Sequence, residues 1–265
     1  MTPPSLSMLS AISLTTNSEE TIGRRIKELQ DLASEFIIVD SGSLDKTVEI
    51  AKRYTKNVFT DTNPSFSARH NFATGKANGE WLLYIDGDEE VTEELKSEIR
   101  AVLTDEKKTS AFSAFAIPRK NIFFGKWLSH GGWWPDYVVR LIKKEKLIGW
   151  VGDLHEYPKI DGLLDYLKTP LVHQSRHHQS FSEALANTVE WSKTEAELLY
   201  KANHPKMTWW RFLSAMGREF YKRAVKYQGW RDGTAGFLEI IWQTFSVFIT
   251  YARLWEKQNS NIKHQ

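Results

Sequence analysis

An acidic segment with the spacing of a metal site follows a strongly apolar run in this sequence. The segment "DGDEE" places Asp86 and Asp88 on either side of one glycine, directly after "EWLLYI". Two aspartates at this spacing can share a divalent cation, and Mg²⁺ and Mn²⁺ favour oxygen ligands and complete their shell with substrate phosphates. The alternative is an acidic turn whose Glu89 and Glu90 complement the dipole of the next helix. A second polar loop expected on the same rim favours the metal interpretation.

That second loop is "VDSGS", in which Asp40 ends another apolar run. A carboxylate at the end of such a strand can accept hydrogen bonds from a ribose or from a base N–H group. The alternative is a helix cap for the following segment, which Ser43 and Asp45 could supply without Asp40. A third polar loop, "TTNSEE", follows the first apolar run.

Apolar runs alternate with helical patterns over the first hundred residues, which predicts a mostly parallel sheet flanked by helices. The expected strands are "MLSAISLTT", "EFIIVDSGS", "NVFTD" and "EWLLYID". Ligands bind at the carboxyl ends of strands in such sheets, and all three polar loops begin there. The helices between the strands are expected to be capped by Asn17 or Ser18, by Ser43 or Asp45, and by Thr92.

The composition fits one large domain with an appendage and excludes several kinds of site. The chain has 265 residues, of which 41% are hydrophobic and 26% are charged, and its net charge is +2. This near neutrality argues against a dedicated nucleic-acid binder and against a disordered chain. The absence of cysteine excludes disulfides, zinc–thiolate sites and cysteine nucleophiles. We see no secretory signal, and no window reaches the ~20 uninterrupted apolar residues of a spanning helix.

Three N-terminal segments resemble the nucleotide-sugar motifs of family 2 glycosyltransferases with the GT-A fold. They are "AISLTTNSEETI", "FIIVDSGSLDKT" and "SARHNFATGKANGEWLLYIDGDEEV". Later segments resemble the subgroup that elongates lipopolysaccharide cores, such as the core β-1,4-glucosyltransferases; they are "YVVRLIKKEKLIGWVGDLHE", "LVHQSRHHQSFSEAL" and "YQGWRDGTAGFLEIIWQTFSVFITYARLWE". Together these segments cover most of the chain.

The resemblance implies a donor pocket built from the first three motifs. Thr15, Asn17 and Asp40 would line the pocket for the nucleobase and ribose. Arg69 would contact the base or the diphosphate. One departure lies beside it, because His70 stands where the subgroup often has a small or aliphatic residue, and this puts the local shape of the pocket in doubt.

The resemblance also implies a divalent metal, Mg²⁺ or Mn²⁺, at the acidic segment. Asp86 would face the ribose and the metal, and Asp88 would be the direct metal ligand. A cation held there would stabilise the charge that develops on a departing nucleotide diphosphate. His173 could complete the metal shell, although a lone histidine is more often a hydrogen-bonded structural group.

The acceptor hydroxyl of a glycosyl transfer needs a general base, and Glu156 in "GDLHEYP" is the candidate. It follows the strands of the second half, and the matching position in the family is a carboxylate near the acceptor. Asp153 and Asp136 are the rival acids, and an exposed loop acid is the alternative for Glu156. One carboxylate base with direct displacement would invert the anomeric centre.

The C-terminal part of the chain combines basic and aromatic residues. Residues 206–231 contain seven Lys or Arg and one acid, with seven aromatic residues between them. The next segment places Phe237, Ile241 and Phe245 on one helical stripe and Glu239 and Thr250 on the other. Such a pattern suits an anionic membrane surface, and a helix packed on the catalytic domain is the alternative. Single-stranded nucleic acid is disfavoured by the acidic rim.

These observations predict an α/β protein with a GT-A domain over residues 1–205 and a basic, aromatic-rich helical extension over residues 206–265. The expected activity is inverting, metal-dependent transfer of a sugar from a nucleotide donor, a UDP-sugar, to a glycolipid or lipopolysaccharide-core saccharide. The enzyme would work in the cytoplasm, peripherally at the inner face of the membrane.

Two alternatives stay open at the level of the sequence. A nucleotidyltransferase would also use paired acids on a Rossmann-like sheet, but "TTNSEETIG" lacks the usual glycine- and lysine-rich phosphate loop. A non-catalytic nucleotide-sugar-binding module would tolerate loss of Asp88 and Glu156.

Overall fold

The computed structural model describes residues 9–152, 156–174 and 180–260, which form two compact units. The first unit comprises the described residues up to Arg119 together with Tyr137–His173. The second comprises Lys120–Asp136 and the described residues from Gln174 onwards. The expected domain boundary at residue 205 stays a prediction.

The strands and helices of the described residues alternate through the first unit, and long helices dominate the second. The strands are β1 (Leu9–Thr15), β2 (Glu35–Asp40), β3 (Val58–Thr60), β4 (Trp81–Tyr84), β5 (Glu89–Glu90), β6 (Ala114–Phe123), β7 (Lys126–Trp127), β8 (Asp136–Lys143), β9 (Leu147–Val151), β10 (Tyr157–Ile160), β11 (Leu164–Tyr166) and β12 (Leu171–Gln174). The α-helices are α1 (Ile22–Leu29), α2 (Thr47–Lys52), α3 (Phe66–Lys76), α4 (Glu93–Thr104), α5 (Glu106–Ala111), α6 (Phe181–Lys201), α7 (Trp209–Phe220) and α8 (Gly233–Ser260).

The main sheet has the strand order β3-β2-β1-β4-β8-β6-β12-β5. Strands β3, β2, β1 and β4 are parallel, and β8 is antiparallel to β4. The register pairs Thr15 with Asp40, and the neighbouring strand pairs Ile12 with Tyr84. The carboxyl ends of β1, β2 and β4 therefore meet at one edge, which confirms the predicted α/β fold and its common rim of polar loops.

Both faces of the central strands are covered, as their continuous apolar sequences predict. Ile12, Ile37 and Leu82 belong to the cluster on one face, whereas Trp81 and Leu83 belong to the cluster on the other. Burying a large aliphatic or aromatic side chain contributes about 1.5–3 kcal/mol relative to leaving it exposed. These two clusters hold the strand ends, and so the polar loops, in fixed positions.

The helix starts agree only in part with the expected caps. The Thr92 side chain accepts a hydrogen bond from the Leu95 N–H at 3.3 Å, as expected for α4. The expected cap of α1 at Asn17 or Ser18 is wrong, because that helix begins at Ile22 after Thr21, which makes no side-chain cap bond. The Asn17 side chain instead accepts the Leu44 N–H at 2.9 Å, which connects two polar loops of the rim.

The second unit is built from α6, α7 and α8, with a π-helical turn at Tyr221–Lys226 and a 3₁₀ turn at Gly229–Asp232. Ala196, Met207 and Leu254 form its small buried cluster. The Thr250 hydroxyl of α8 donates to the Glu195 carboxylate of α6 at 2.7 Å.

Candidate active site

The acidic segment after β4 is gathered around a cation of the protein itself. The guanidinium of Arg140, on the neighbouring strand β8, donates to the Asp86 carboxylate and to Glu89 Oε1, the latter at 2.6 Å. The Asp86 N–H donates to Glu89 Oε2 at 2.9 Å. Asp86, Glu89 and Arg140 therefore form one connected group at the carboxyl end of β4.

The charges of this group are unequally compensated. Burial alone would raise the pKa of Asp86, but the charge and hydrogen bond of Arg140, together with the nearby His70, lower the pKa of Asp86 below its usual range. Burial raises the pKa of Glu89, and Arg140 offsets only part of that rise. Burial opposes the charge of Arg140, yet the two carboxylates together raise its pKa. Asp86 is thus held ionised, and Glu89 is the acid of this group that takes up a proton more readily.

Asp88 has a different partner, the imidazole of His173. His173 lies on β12 directly opposite Glu89 in the antiparallel register with β5. Its Nε2 lies 3.4 Å from Asp88 Oδ2, and both side chains are mostly buried. A carboxylate and an imidazole this close can ligate one divalent cation together. Among the described residues no group of three His, Asp or Glu is placed to hold a metal, so substrate oxygens would have to complete the shell.

Arg140 and Arg25 were not predicted as part of this region, and Glu89 was considered only as an acid that complements the dipole of the next helix. Arg140 and Glu89 lie within the group itself, and Arg25 of α1 lies beneath the loop. A Cβ placed on Gly87 would come within 3.5 Å of the Arg25 guanidinium. An arginine inside the apolar strand "YVVRLIKK" was the available signal, since a buried charge needs a partner.

The loops after β1 and β2 are joined to each other by hydrogen bonds. The Asp40 carboxylate is 1% exposed and accepts the N–H groups of Gly42 and Ser43 at 2.9 and 2.8 Å, as well as the Ser43 hydroxyl. The Asn17 N–H donates to Ser43 Oγ at 2.8 Å. The Thr15 side chain is buried beside them, and its hydroxyl has no hydrogen-bond partner within the described part of the chain. The Asp40 carboxylate therefore uses three of its hydrogen bonds to hold the backbone and side chain of its own loop.

Arg69, near the start of α3, is tied to the same loop. Its guanidinium donates to Ser41 Oγ and lies 4.2 Å from the centre of the Phe66 ring. Burial lowers the pKa of Arg69, and the charges of Asp61 and Glu156 oppose this. Arg69 thus places a largely buried cation at the rim.

Glu156 lies close enough to Arg69 for its charge to act on the Arg69 guanidinium. Glu156 is half-buried, at the start of the segment that continues into β10. Of its two rivals, Asp136 accepts a hydrogen bond from Asn121 Nδ2 at 3.0 Å, and Asp153 lies outside the described residues.

His70 connects the two halves of the site. Its ring stacks on Trp150 with centroids 4.2 Å apart and meets the edge of Tyr84 at 5.5 Å. Burial lowers the pKa of His70 to about 4, with a smaller opposing effect of Asp86. The positive charges of Arg140 and Arg69 lower the pKa of His70 further. His70 is therefore neutral near pH 7 and lies between the acidic segment and the Arg69 loop.

Comparisons with known proteins identify the family to which this chain belongs. Residues 10–155, more than half of the chain, match the family model described as glycosyl transferase family 2. An uncharacterized glycosyltransferase of Rickettsia typhi is 26% identical over 264 residues, covering 94% of this chain and 87% of that protein. Other rickettsial relatives are matched over about a third of their length. The cholesterol galactosyltransferase of Borreliella burgdorferi is 35% identical over 85 residues, covering 28% of this chain and 23% of that protein.

A solved structure shares the fold. It is glucosyl-3-phosphoglycerate synthase from Mycobacterium tuberculosis in complex with Mn²⁺, UDP-glucose and phosphoglyceric acid. The TM-score is 0.50 at 14% identity, and the match covers 78% of this chain and 86% of that chain. The chain belongs to glycosyl transferase family 2, and it is a glycosyltransferase with the GT-A fold.

Proposed function

We propose that this glycosyltransferase transfers a sugar from a UDP-sugar to a saccharide of a glycolipid, such as a lipopolysaccharide core, with inversion at the anomeric carbon. The observation that carries the proposal is the gathering of Asp86, Asp88 and His173 at the end of β4, on the same rim as the Asp40 and Arg69 loops. Acids and cations together on one rim match the needs of a diphosphate donor, whose phosphates require positive charge and whose ribose requires acceptors.

A divalent cation fits the residues present. Asp88 and His173 would hold it, and Asp86 would face it from a side chain that Arg140 keeps ionised. Mg²⁺ and Mn²⁺ are commonly held by one or two carboxylates together with substrate phosphates, so this small donor set is sufficient. When bound, the cation supplies charge stabilisation for the departing nucleotide diphosphate.

Glu156 is the proposed general base. Its carboxylate would take the proton of the acceptor hydroxyl while that oxygen bonds to the anomeric carbon and the bond to the nucleotide diphosphate breaks. The proximity of Arg69 supports this role, because it places the Glu156 carboxylate beside the loop that is proposed to hold the donor. Attack opposite to the leaving group inverts the anomeric centre.

Two of the compared proteins support the choice of donor and acceptor. The M. tuberculosis structure contains UDP-glucose and Mn²⁺, and the B. burgdorferi relative is named for a lipid acceptor. A glycolipid acceptor would place the enzyme at the inner face of the cytoplasmic membrane, as a peripheral protein.

The decisive experiment measures donor hydrolysis by the purified full chain over a panel of nucleotide sugars, with and without Mn²⁺. We expect release of UDP from one UDP-sugar that requires Mn²⁺ and is lost in Asp88→Asn. Asp161→Asn is the matched control, because the Asp161 side chain is 73% exposed and pairs with Lys146. Pyrophosphate release from a nucleoside triphosphate would instead identify a nucleotidyltransferase. UDP-sugar binding with no hydrolysis and no transfer to any saccharide, unchanged by Asp88→Asn, would identify a binding module.

A further inference from the structure

Helix α8 exposes a row of large apolar side chains, although its buried side combines Ile240, Trp242 and Leu254 with two polar residues. Glu239 is 2% exposed and Thr250 is 7% exposed, whereas Phe237 is 56% exposed. A helix on the surface of a water-soluble unit normally has the opposite arrangement. The sequence pattern predicted the two stripes but left open which one would be covered.

The exposed side chains of α8 form one continuous stripe. They recur at intervals of three, four or seven residues, which keeps them on one side of the helix over about 27 Å. The stripe consists of Phe237, Ile241, Phe245, Phe248 and Trp255, each of them at least 40% exposed.

Helix α7 contributes a second apolar stripe. Trp209 is 72% exposed, and Leu213 and Phe220 follow it on the same side of the helix. The Phe212 ring of α7 lies 5.7 Å from the Phe248 ring of α8, so the two helices are in contact where both stripes pass. We call the exposed side chains of these two stripes the aromatic face.

The surroundings of the aromatic face are basic. Residues 206–231 carry seven Lys or Arg, and their single acid, Glu219, is paired with Arg223 at 2.5 Å. The other six cations are exposed; they are Lys206, Arg211, Arg218, Lys222, Lys226 and Arg231. An exposed apolar face of this size calls for a covering partner, and the excess of cations selects an anionic one.

We propose that the aromatic face docks onto the surface of an anionic lipid bilayer, with α7 and α8 lying in the plane of the interface. Aromatic side chains enter the headgroup region in this mode, while the basic residues contact anionic headgroups. The aromatic face would thus make the membrane contact of the proposed function. This docking rests on the proposed function only for the identity of the acceptor.

The helix lies on the bilayer and does not span it. Residues 229–260 are long and apolar enough to cross a membrane by length and composition alone. However, one side of α8 is already covered by protein: Thr250 bonds to Glu195 of α6, and Glu239 bonds to Gln243, which also accepts from Arg223. Surrounding α8 with lipid would expose these polar groups to hydrocarbon.

The test is flotation of the full chain with vesicles of phosphatidylglycerol and phosphatidylcholine, compared with vesicles of phosphatidylcholine alone. We expect binding to the anionic vesicles only, weakened by salt because the headgroup attraction is screened. Trp209→Ser and Ile241→Ser are each expected to weaken binding by at least about tenfold, since each removes a large exposed apolar side chain. Ile148→Ser is the matched control, because Ile148 is 67% exposed on β9 in the first unit. Release by a high-salt wash supports docking, and retention after extraction at alkaline pH overturns it in favour of a spanning helix.

Other outcomes overturn the proposal or separate it from the transferase assignment. If Trp209→Ser and Ile241→Ser leave vesicle binding unchanged, the aromatic face is not the docking surface. If the chain is a dimer in sedimentation experiments, both substitutions make it monomeric and vesicles are not bound, the face is covered by a second copy instead. Donor hydrolysis is measured on the same samples; its absence in a chain that binds vesicles contradicts the proposed function and leaves the docking surface supported.

Discussion

Replacing Arg140 with methionine tests the charge compensation of the acidic segment. The substitution keeps most of the volume and removes the guanidinium that contacts both Asp86 and Glu89, so that Arg119, 4.0 Å from Glu89 Oε1, is the cation left beside Glu89 among the described residues. Removing one partner of a buried ion pair costs about 3–5 kcal/mol of folding stability, because it leaves an uncompensated charge. The Asp86 side chain is 39% exposed, so solvent screens its ion pair with Arg140 and reduces the stability lost there. The Glu89 side chain is 0% exposed, so its ion pair is not screened in this way. We therefore expect a loss of about 3 kcal/mol near pH 7, due mostly to Glu89.

The sign of the pH dependence distinguishes this explanation from a simple loss of packing. The pKa of Glu89 is already raised in the folded protein, and loss of Arg140 raises it further. A carboxyl with a raised folded pKa contributes most stability below its unfolded pKa of about 4.3 and loses that contribution as pH rises. The lowered pKa of Asp86 acts in the opposite direction, since it stabilises the fold above about pH 3.9. The cost of Arg140→Met should therefore be smaller at about pH 5 than at pH 7, because Glu89 takes up a proton more readily as pH falls towards its raised pKa.

Urea unfolding of the wild type and the variant at both pH values measures this cost. Glu89→Gln in the Arg140→Met background should restore part of the stability, because it removes the uncompensated acid. Arg53→Met is the matched control: Arg53 forms an exposed pair with Glu49, and its loss should change stability by less than about 0.5 kcal/mol. A cost of Arg140→Met below about 1 kcal/mol, or one that is the same at both pH values, would refute the compensation argument.

Four further substitutions test the proposed roles of single residues. Glu156→Gln should retain UDP-sugar binding in calorimetry and lower turnover by about 10²–10⁴-fold, while Asp136→Asn should leave turnover near the wild-type value; the reverse result would move the base to Asp136. His173→Ala should raise the Mn²⁺ concentration for half-maximal donor hydrolysis by at least about tenfold, and an unchanged Mn²⁺ titration would exclude a ligand role. Asp40→Ala should lower stability by about 1–3 kcal/mol in urea unfolding, because the N–H groups of Gly42 and Ser43 lose a charged acceptor that is itself buried; an unchanged unfolding midpoint would show that water replaces the carboxylate.

The local patterns of the sequence predicted the parts of the site that are contiguous in the chain. An apolar strand followed by a polar loop occurs three times, and the parallel pairing of β1 with β2 and β4 brings these loops to one rim. Alternation of strands and helices is sufficient to predict this, because parallel strands need crossover connections.

The cations of the site could not be predicted in the same way. Arg140 and Asp86 are 54 residues apart in sequence and meet only because β8 pairs antiparallel with β4. Nothing in the alternating N-terminal pattern specifies that β8 inserts next to β4, since the pattern describes parallel neighbours. Tertiary contacts also determine which stripe of α8 faces outward, because the buried Thr250 donates to Glu195 of α6, while the buried Glu239 accepts from Gln243 on the next turn of the same helix.

The two aspartates of the acidic segment have partners of different chemistry, and this difference argues for a division of work between them. An arginine stays protonated throughout the pH range in which proteins fold, so the contact between Arg140 and Asp86 is permanent and fixes the orientation of that carboxylate. An imidazole can be neutral and present a lone pair, so His173 can exchange its contact with Asp88 for a shared cation. Because metal ligands must be deprotonated, the affinity of such a pair for a cation falls as pH falls. Under the proposed function, Asp86 is thus the acid oriented by Arg140, and Asp88 is the acid that exchanges its contact with His173 for the cation of the arriving diphosphate.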